Sequence, residues 1–426
     1  SVKDAIVRRA SECFSDEDIQ KKLLFFTQEP PKGTGDAVLT AIRGLGKNAA
    51  EAGAFLVVNG DLPLIRKVTL EKFVKKAQQD KLDSACLSII SKNPKGLGRI
   101  VRDDMGVFTS IREEADASLD EKKIREVNGG VYFFSDKFLL DNISKLSANN
   151  NQSEFYLTDL LGNSKGPAQK SESLLIRSPY DLKGVNTTYE LSIARKIAQL
   201  RLQRNLCEEY GVEFLDPDSA YISARVVFKG ACRIGPGVVI QGATTVGEGV
   251  YIEGHSLVEN VDLKSHVTVL WSSVLRNCVV GASSNIGPMA HLRPGSDLGE
   301  GVRIGNFVEL KNTKMGNRAK ASHLAYLGDA EIGEESNIGC GTITCNYDGF
   351  QKHFTKIGKK AFIGSDTQLI APLTIGDDAY IGSGTTVTMD VPDGALALSR
   401  AEMVIKPGYA KRLAERLKEA RAREKK

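Results

Sequence analysis

No stretch of this 426-residue chain reaches the run of roughly eighteen apolar residues that a membrane helix needs. No charged start leads into an apolar segment with a cleavage site either. The expectation is a cytosolic protein without membrane insertion. Cysteine is sparse: Cys13, Cys86, Cys207, Cys232, Cys278, Cys340 and Cys345 are odd in number, scattered and free of C-x-x-C pairing, which excludes a disulfide framework. They read as reduced thiols, mostly small buried residues. There is also little reason to expect nucleic acid. The net charge of +4 hides a tail, 405–426, with nine Lys or Arg against three Glu, so the body before it is slightly acidic. Ser1 opens the chain in place of a methionine, with helix-like residues and no strand running into a glycine-rich turn, the usual opening of a nucleotide-binding α/β domain. A missing natural beginning is the expectation.

What the chain has in excess is glycine, 41 residues, most of them after residue 220. There, aliphatic residues recur every six positions through Ile234, Ile240, Val246, Ile252 and Val258, again from Ile286 to Leu310, and again from Ile357 to Val387. A period of six fits neither a helix face of about 3.6 nor a strand alternation of about 2. It fits a triangular prism with one short strand per side and about 18 residues per coil, whose stacked coils supply the core that no single coil can bury. The register breaks at 260–285 and at CNYDGFQKHFTK, 345–356, and loops thrown from a rigid scaffold are where sites are built.

The first part reads differently. Helical patterns alternate with short apolar strands at Leu23 to Gln28, Ala54 to Val58, Cys86 to Ile90 and Gly130 to Phe134, the signature of βαβ units and a largely parallel sheet. The fold class is α/β. It comprises an N-terminally truncated nucleotidyltransferase-like α/β domain at 1–185, a long connecting helix at 186–211, a left-handed parallel β-helix of hexapeptide repeats at 212–404 and a basic tail at 405–426.

Three groups of residues could carry chemistry. His323, one of only five histidines, could take a proton from an amine near neutral pH. Glu309, 14 positions earlier, could fix its tautomer from the neighbouring coil. Arg293 and Lys311, one full coil apart, should project from the same side on successive turns and with Lys352 suit an anionic substrate. In NGDLP, Asp61 follows an apolar strand and is placed to hold Mg²⁺ against phosphates. KGTGDAV offers a turn but not a phosphate loop. Cys340 or Cys345 as a covalent nucleophile is disfavoured, because neither has an evident adjacent base.

The stretches HLRPGSDLGEGVRIGNFVELKN, HLAYLGDAEIG, NIGCGTITCNYDG and FIGSDTQLIAP closely resemble the bifunctional bacterial enzymes that join glucosamine-1-phosphate N-acetyltransferase to N-acetylglucosamine-1-phosphate uridylyltransferase. The likeness covers essentially the whole chain. It implies that His323 is the general base, supported by Glu309, with Arg293, Lys311, Tyr326, Asn337 and Lys352 around glucosamine 1-phosphate. Acetyl-CoA would lie against Cys340, Asn346, Tyr347, Ser365, Ser383 and Arg400, partly on a neighbouring subunit of a homotrimer, with the basic tail closing over it. Cys340 and Ser383 stand where smaller, alanine-like side chains are expected. In the uridylyltransferase half the likeness puts Gln28, Gly33 and Thr34 at the uracil of UTP and Gly98, Glu113 and Asn128 at the sugar of N-acetylglucosamine 1-phosphate. Asp61 and Asn186 would hold Mg²⁺. With the family's opening absent before Ser1, the expectation is acetyl transfer with little uridylyl transfer. The rival reading is a nucleotidyltransferase whose β-helix is only a scaffold.

Overall fold

The computed structural model describes residues 2–11, 14–162, 169–178, 180–400 and 402–424. Ser1, residues 12–13 with the Cys13 read above as a reduced thiol, residues 163–168 and Pro179 of the expected first domain, Ala401 of the expected β-helix and the last two residues of the tail lie outside these. The chain divides into two compact units, Ser1–Ala198 and Gln199–Lys426. The division falls within the helix Thr188–Tyr210.

Among the described residues the first unit is built on six strands. Five run in the order Phe108–Arg112, Arg99–Arg102, Glu126–Ser135, Ser84–Ile90, Ser171–Leu175, and Ala54–Val58 pairs with the second half of Glu126–Ser135. The sheet is mixed and largely antiparallel, against the largely parallel one expected. Among the described strands of this sheet only Ser84–Ile90 and Ser171–Leu175 run parallel. The cause lies between residues 90 and 126, where a strand hairpin, Arg99–Arg102 with Phe108–Arg112, replaces the crossover helix and returns the chain in the opposite direction. Leu23 to Gln28 is not a strand, and Leu24, Phe25 and Phe26 are exposed to 54, 39 and 41%. Extended apolar residues make a strand only where a neighbour accepts their ladder, and here none does among the described residues. Buried Phe73, Leu87, Val131 and Phe133 form one core beneath the helix Lys67–Gln79, and Ile100, Phe108, Phe134 and Leu157 form a second.

The second unit is a parallel β-helix with an eleven-stranded and a fifteen-stranded sheet. Ile234 pairs with Ile252 and Ile240 with Val258, one full coil further along the chain. Gln241 meets Glu259 at this same sequence separation of 18, its amide donating to the carboxylate at 3.0 Å. Every aliphatic residue of the six-residue series points inward and is at most 3% exposed. The break at 260–285 is a change of coil length, since Val258 pairs with Leu275 and Leu275 with Leu292, each coil one position shorter than before. One corner is turned by a single residue in the left-handed region, Asn260 (φ 54°) and then Asn277 (φ 47°), inside the strands Leu257–Leu263 and Val274–Val280. These two asparagines, at a sequence separation of 17, hydrogen-bond each other at 3.2 Å. Asparagine is one of the few side chains that tolerates this conformation. The second break is a longer coil, with Ile332 paired to Ile357 and Ile338 to Ile363. Across it the Ala361 N–H donates to Ser336 Oγ (3.1 Å) at a separation of 25. The first coil is capped by the later turns of Thr188–Tyr210. Gln199 donates to the Ile222 carbonyl (2.8 Å) and accepts from its N–H (2.9 Å), and Gln203 donates to Ala220 O (3.0 Å). The helix Tyr409–Glu424, exposed wherever its side chains are described, occupies the basic tail.

Candidate active sites

Where the short coils meet the long one, a charged cluster forms. Register places Glu309 beside Tyr326 in the next coil, and Arg293 lies beside Lys311 in the same way. Arg293 Nη1 donates to Glu309 Oε1 at 2.7 Å. Lys311 Nζ is 3.5 Å from Asp329 Oδ2, and Asn312 and Asn346 donate to the two oxygens of that carboxylate at 2.8 and 2.5 Å. Desolvation works against ionisation of Asp329, yet the two amides and the Lys311 charge hold its carboxyl below the ordinary range. Lys352 reaches the cluster from the long coil. The Lys311 ammonium hydrogen-bonds its amine and pushes Lys352 below the usual lysine range, and the same contact, helped by Asp329, holds Lys311 above it. Three basic groups, Arg293, Lys311 and Lys352, meet two carboxylates, Glu309 and Asp329, which leaves an excess of positive charge suited to an added anion.

The loop carrying Lys352 is closed on itself. Asp348 accepts from the N–H groups of Phe350 and Gln351 (both 2.8 Å) and from His353 Nε2 (2.7 Å), which together hold its carboxyl far below the ordinary range. Tyr347 bridges Lys352 across the loop, and the Tyr347 hydroxyl donates to Gly349 O at 2.7 Å.

His323 ends the strand Lys320–His323, one corner before Tyr326, and the corner is made by Leu324 at φ 42°. Its Nδ1 is 2.8 Å from Asn306 Oδ1, its register partner in the preceding coil. An amide oxygen only accepts, so Nδ1 carries the proton and Nε2 is left as the basic atom. The expected Glu309 contact is not what the structure records. Glu309 is bound to Arg293, on the other side of the corner, and Asn306 holds the imidazole.

Below His323 the register runs through Asn337, Phe362 and Tyr380, paired in succession with Lys320 and each other. Three positions past these stand Cys340, Ser365 and Ser383, in file with His323. Backbone bonds tie the file together: Gly341 N–H to Leu324 O (3.0 Å), Asp366 N–H to Cys340 O (2.7 Å) and Gly384 N–H to Ser365 O (2.8 Å). A methyl at Gly364 would lie 2.5 Å from Ser383 N, so close stacking here requires glycine. Arg400 folds back near Gly382, a methyl there standing 3.3 Å from its Nη2. Small side chains, one per coil, with a guanidinium at the end make a lane suited to a slender thioester donor carrying phosphates.

In the first unit, Gln28 donates to Gly33 O (3.1 Å) and Asp36 Oδ2 (2.7 Å), and Thr34 Oγ1 accepts from Leu157 N–H (3.1 Å). Gly33 adopts φ 103° at the start of the helix Thr34–Leu45, against Phe155 O, where a side chain would collide. Gly98 accepts from Asn128 N–H at 2.9 Å and faces Glu113. Burial pushes the Glu113 carboxyl above its ordinary range, against a hydrogen bond from Thr158 at 2.9 Å. Asp61 and Asn186 converge over Gly184. A methyl there would be 2.8 Å from Asp61 Oδ2 and 4.0 Å from Asn186 Nδ2. One carboxylate and one amide form a hard donor set that fits Mg²⁺, which keeps waters and takes substrate phosphates as its other ligands.

Residues 7–168 match the nucleotidyl transferase family, and residues 354–388 match the bacterial transferase hexapeptide (six repeats) family. The bifunctional protein GlmU of Pelobacter propionicus is 42% identical over 381 residues, 89% of this chain and 82% of that protein. Those of Fervidobacterium nodosum, 42% identical over 93% of this chain and 85% of the relative, and Trichlorobacter lovleyi, 43% over 90% and 82%, are similarly near. This chain belongs to the bifunctional GlmU family.

Within that family assignment, three residues of the clusters escaped the sequence reading. Asn306 sits in GNF, Asn312 and Asp329 in ELKN and LGDAE, and all look like ordinary corner residues. Their signal was spacing. Asn306 precedes His323 at a separation of 17, and Asn312, Asp329 and Asn346 follow one another at the same 17. Asn346, expected at the acyl donor, is turned instead to Asp329 and hence to the lysine cluster.

Proposed function

We propose that this GlmU-family chain transfers the acetyl group of acetyl-CoA to the amine of glucosamine 1-phosphate in its β-helix unit. The α/β unit transfers a uridylyl group from UTP to N-acetylglucosamine 1-phosphate. The observation that carries the first activity is the pairing of a base with fixed tautomer, His323, with the Arg293, Lys311 and Lys352 charges one corner away. The sugar phosphate would neutralise the paired lysines, and Tyr326 would border it. Nε2 of His323 would accept the proton released as the amine attacks the thioester carbonyl. The acetyl group passes directly, and no side chain needs to become acylated. The lane of Cys340, Ser365 and Ser383 would hold the donor, with Arg400 toward its phosphates and Tyr347 from the long-coil loop. Asn337, on the strand below Lys320, is assigned to the sugar.

In the α/β unit, Asp61 and Asn186 would hold Mg²⁺, which supplies charge neutralisation at the transferring phosphate. Gln28, Gly33 and Thr34 would face the base, and Gly98, Glu113 and Asn128 the sugar. A homotrimer is part of this reading. Met289, Phe307 and Leu324 occupy the corner beside His323 on successive coils, all at left-handed φ and 50, 54 and 57% exposed, which suits a surface covered by another copy. A cytosolic location goes with these soluble substrates. A β-helix that merely scaffolds would have no use for two lysines held in contact.

The test is CoA release from acetyl-CoA with glucosamine 1-phosphate, comparing the chain with its His323→Ala form. Activity lost on substitution supports the reading, and equal activity in both refutes the base.

A further inference from the structure

A cleft of about 490 Å³ in the first unit lies between the helix Lys67–Gln79 and the strand Ser171–Leu175 and contains none of the residues assigned above. Its size falls within the range of roughly 300 to 1,000 Å³ usual for small-molecule sites. Val68, Leu174 and Ile176 give the cleft its accessible apolar floor, and the core residues Phe73 and Leu87 back it. Arg66, Lys72, Lys76 and Arg177 stand around it.

The charge balance is one-sided. Among the described residues Asp181 is the only acid lining the cleft. Its side chain is 0% exposed and is taken up by Thr69 Oγ1 at 2.6 Å, Arg66 Nε at 2.9 Å and Ser178 Oγ at 3.0 Å. These bonds hold its carboxyl below the ordinary range although burial works the other way. Lys76 is paired with Asp80 at 2.6 Å and feels Glu172 from the strand. Lys72 and Arg177 are exposed and have no acidic partner among the described residues.

We propose that this cleft binds a phosphomonoester with a flat apolar body. The body would lie on the Val68, Leu174 and Ile176 floor, and the phosphate would sit between Lys72 and the Arg177 fork. A bare phosphate would leave the floor wet, and a neutral flat molecule would leave two cations unbalanced, so each half of the ligand is required by a different wall. The carboxylate of Asp181 does not oppose the phosphate, because its charge is already spent inside the wall.

The probe is 2-naphthyl phosphate, followed by its fluorescence with Mg²⁺, UTP and glucosamine 1-phosphate present in excess to fill other phosphate sites. Saturable binding is expected, weakened about tenfold or more in Lys72→Glu/Arg177→Glu, with 2-naphthol and inorganic phosphate each competing at least about tenfold less well. The same two-charge change outside the cleft, Lys75→Glu/Lys81→Glu, should leave affinity unchanged. Both variants alter exposed side chains and should keep the far-ultraviolet dichroism of the parent. No saturable binding, equal binding by 2-naphthol, or equal weakening by the two double variants would overturn the proposal.

Discussion

The two units convert sequence into adjacency in opposite ways. In the β-helix contacts recur at the coil lengths of 17, 18 or 25 along the chain, as where Asn306 meets His323, Gln241 meets Glu259 and Ser336 meets Ala361. In the α/β unit the decisive contacts are distant and follow no period: Arg66 reaches Asp181 at a separation of 115, and Thr34 meets Leu157 at 123. A repeat therefore makes chemistry visible as a departure from spacing, whereas a mixed sheet hides it in topology. The residues proposed for acetyl transfer lie where coil length changes, and the scaffold on either side remains regular.

The sharpest test of that contrast is His323→Ala. One imidazole should account for about a 10² to 10⁴-fold loss of acetyl transfer, the usual range for a general base. Mg²⁺-dependent binding of UTP to the other unit should be unaltered. Asn306→Ala should cost less and move the pH–rate profile, because it frees the tautomer without removing the base.

A second test restores the period. Deleting 347–353 returns the long coil to the ordinary length, that of the next coil, where Ile357 pairs with Ile375. The fold should survive with a melting temperature within a few degrees of the parent, about what a shortened surface loop costs. The Michaelis constant for glucosamine 1-phosphate should nevertheless rise by about tenfold or more with Lys352 gone. Unfolding of the deleted form would show that the loop is part of the scaffold and not an addition to a prism that stands without it. By contrast, Leu292→Ala inside a regular coil should cost about 2–5 kcal/mol of stability by leaving a cavity at a side-chain position that is 0% exposed. Chemical denaturation measures it.

How much could be read beforehand follows the same line. The inward series from Ile234 to Val387 was legible because each coil repeats one burial requirement. The alternation with glycine then marked where coils stack too closely for a side chain. The change to shorter coils was visible only as lost register, because a corner turned by one asparagine looks like noise in a six-residue count. Coil arithmetic and the family resemblance both put Glu309 beside His323. That arithmetic gives the coil but not the face, and Arg293 claims the carboxylate. In the α/β unit the strands at Ala54 to Val58 and Cys86 to Ile90 are evident from their apolar runs. Their directions are not, since a hairpin and a crossover helix both begin with a turn. Leu23 to Gln28 has the composition of a strand, and composition says nothing of whether a neighbour exists.

The smallest effect expected is on pH dependence, and it distinguishes a lysine pair from two independent lysines. Lys352 is held below the usual lysine range by Lys311, so in the free protein it loses its proton at a lower pH than an isolated lysine would. An anionic sugar phosphate favours the protonated form, so binding takes up a proton once the pH exceeds that lowered value. The Michaelis constant for glucosamine 1-phosphate should then climb with pH through the alkaline range below the ordinary lysine pKa. In Lys352→Met it should start higher and rise less, since Lys311 alone keeps its charge throughout. Equal slopes in both proteins would mean that the two ammonium groups titrate independently and that the crowding of charge at the long coil has no part in recognising the substrate.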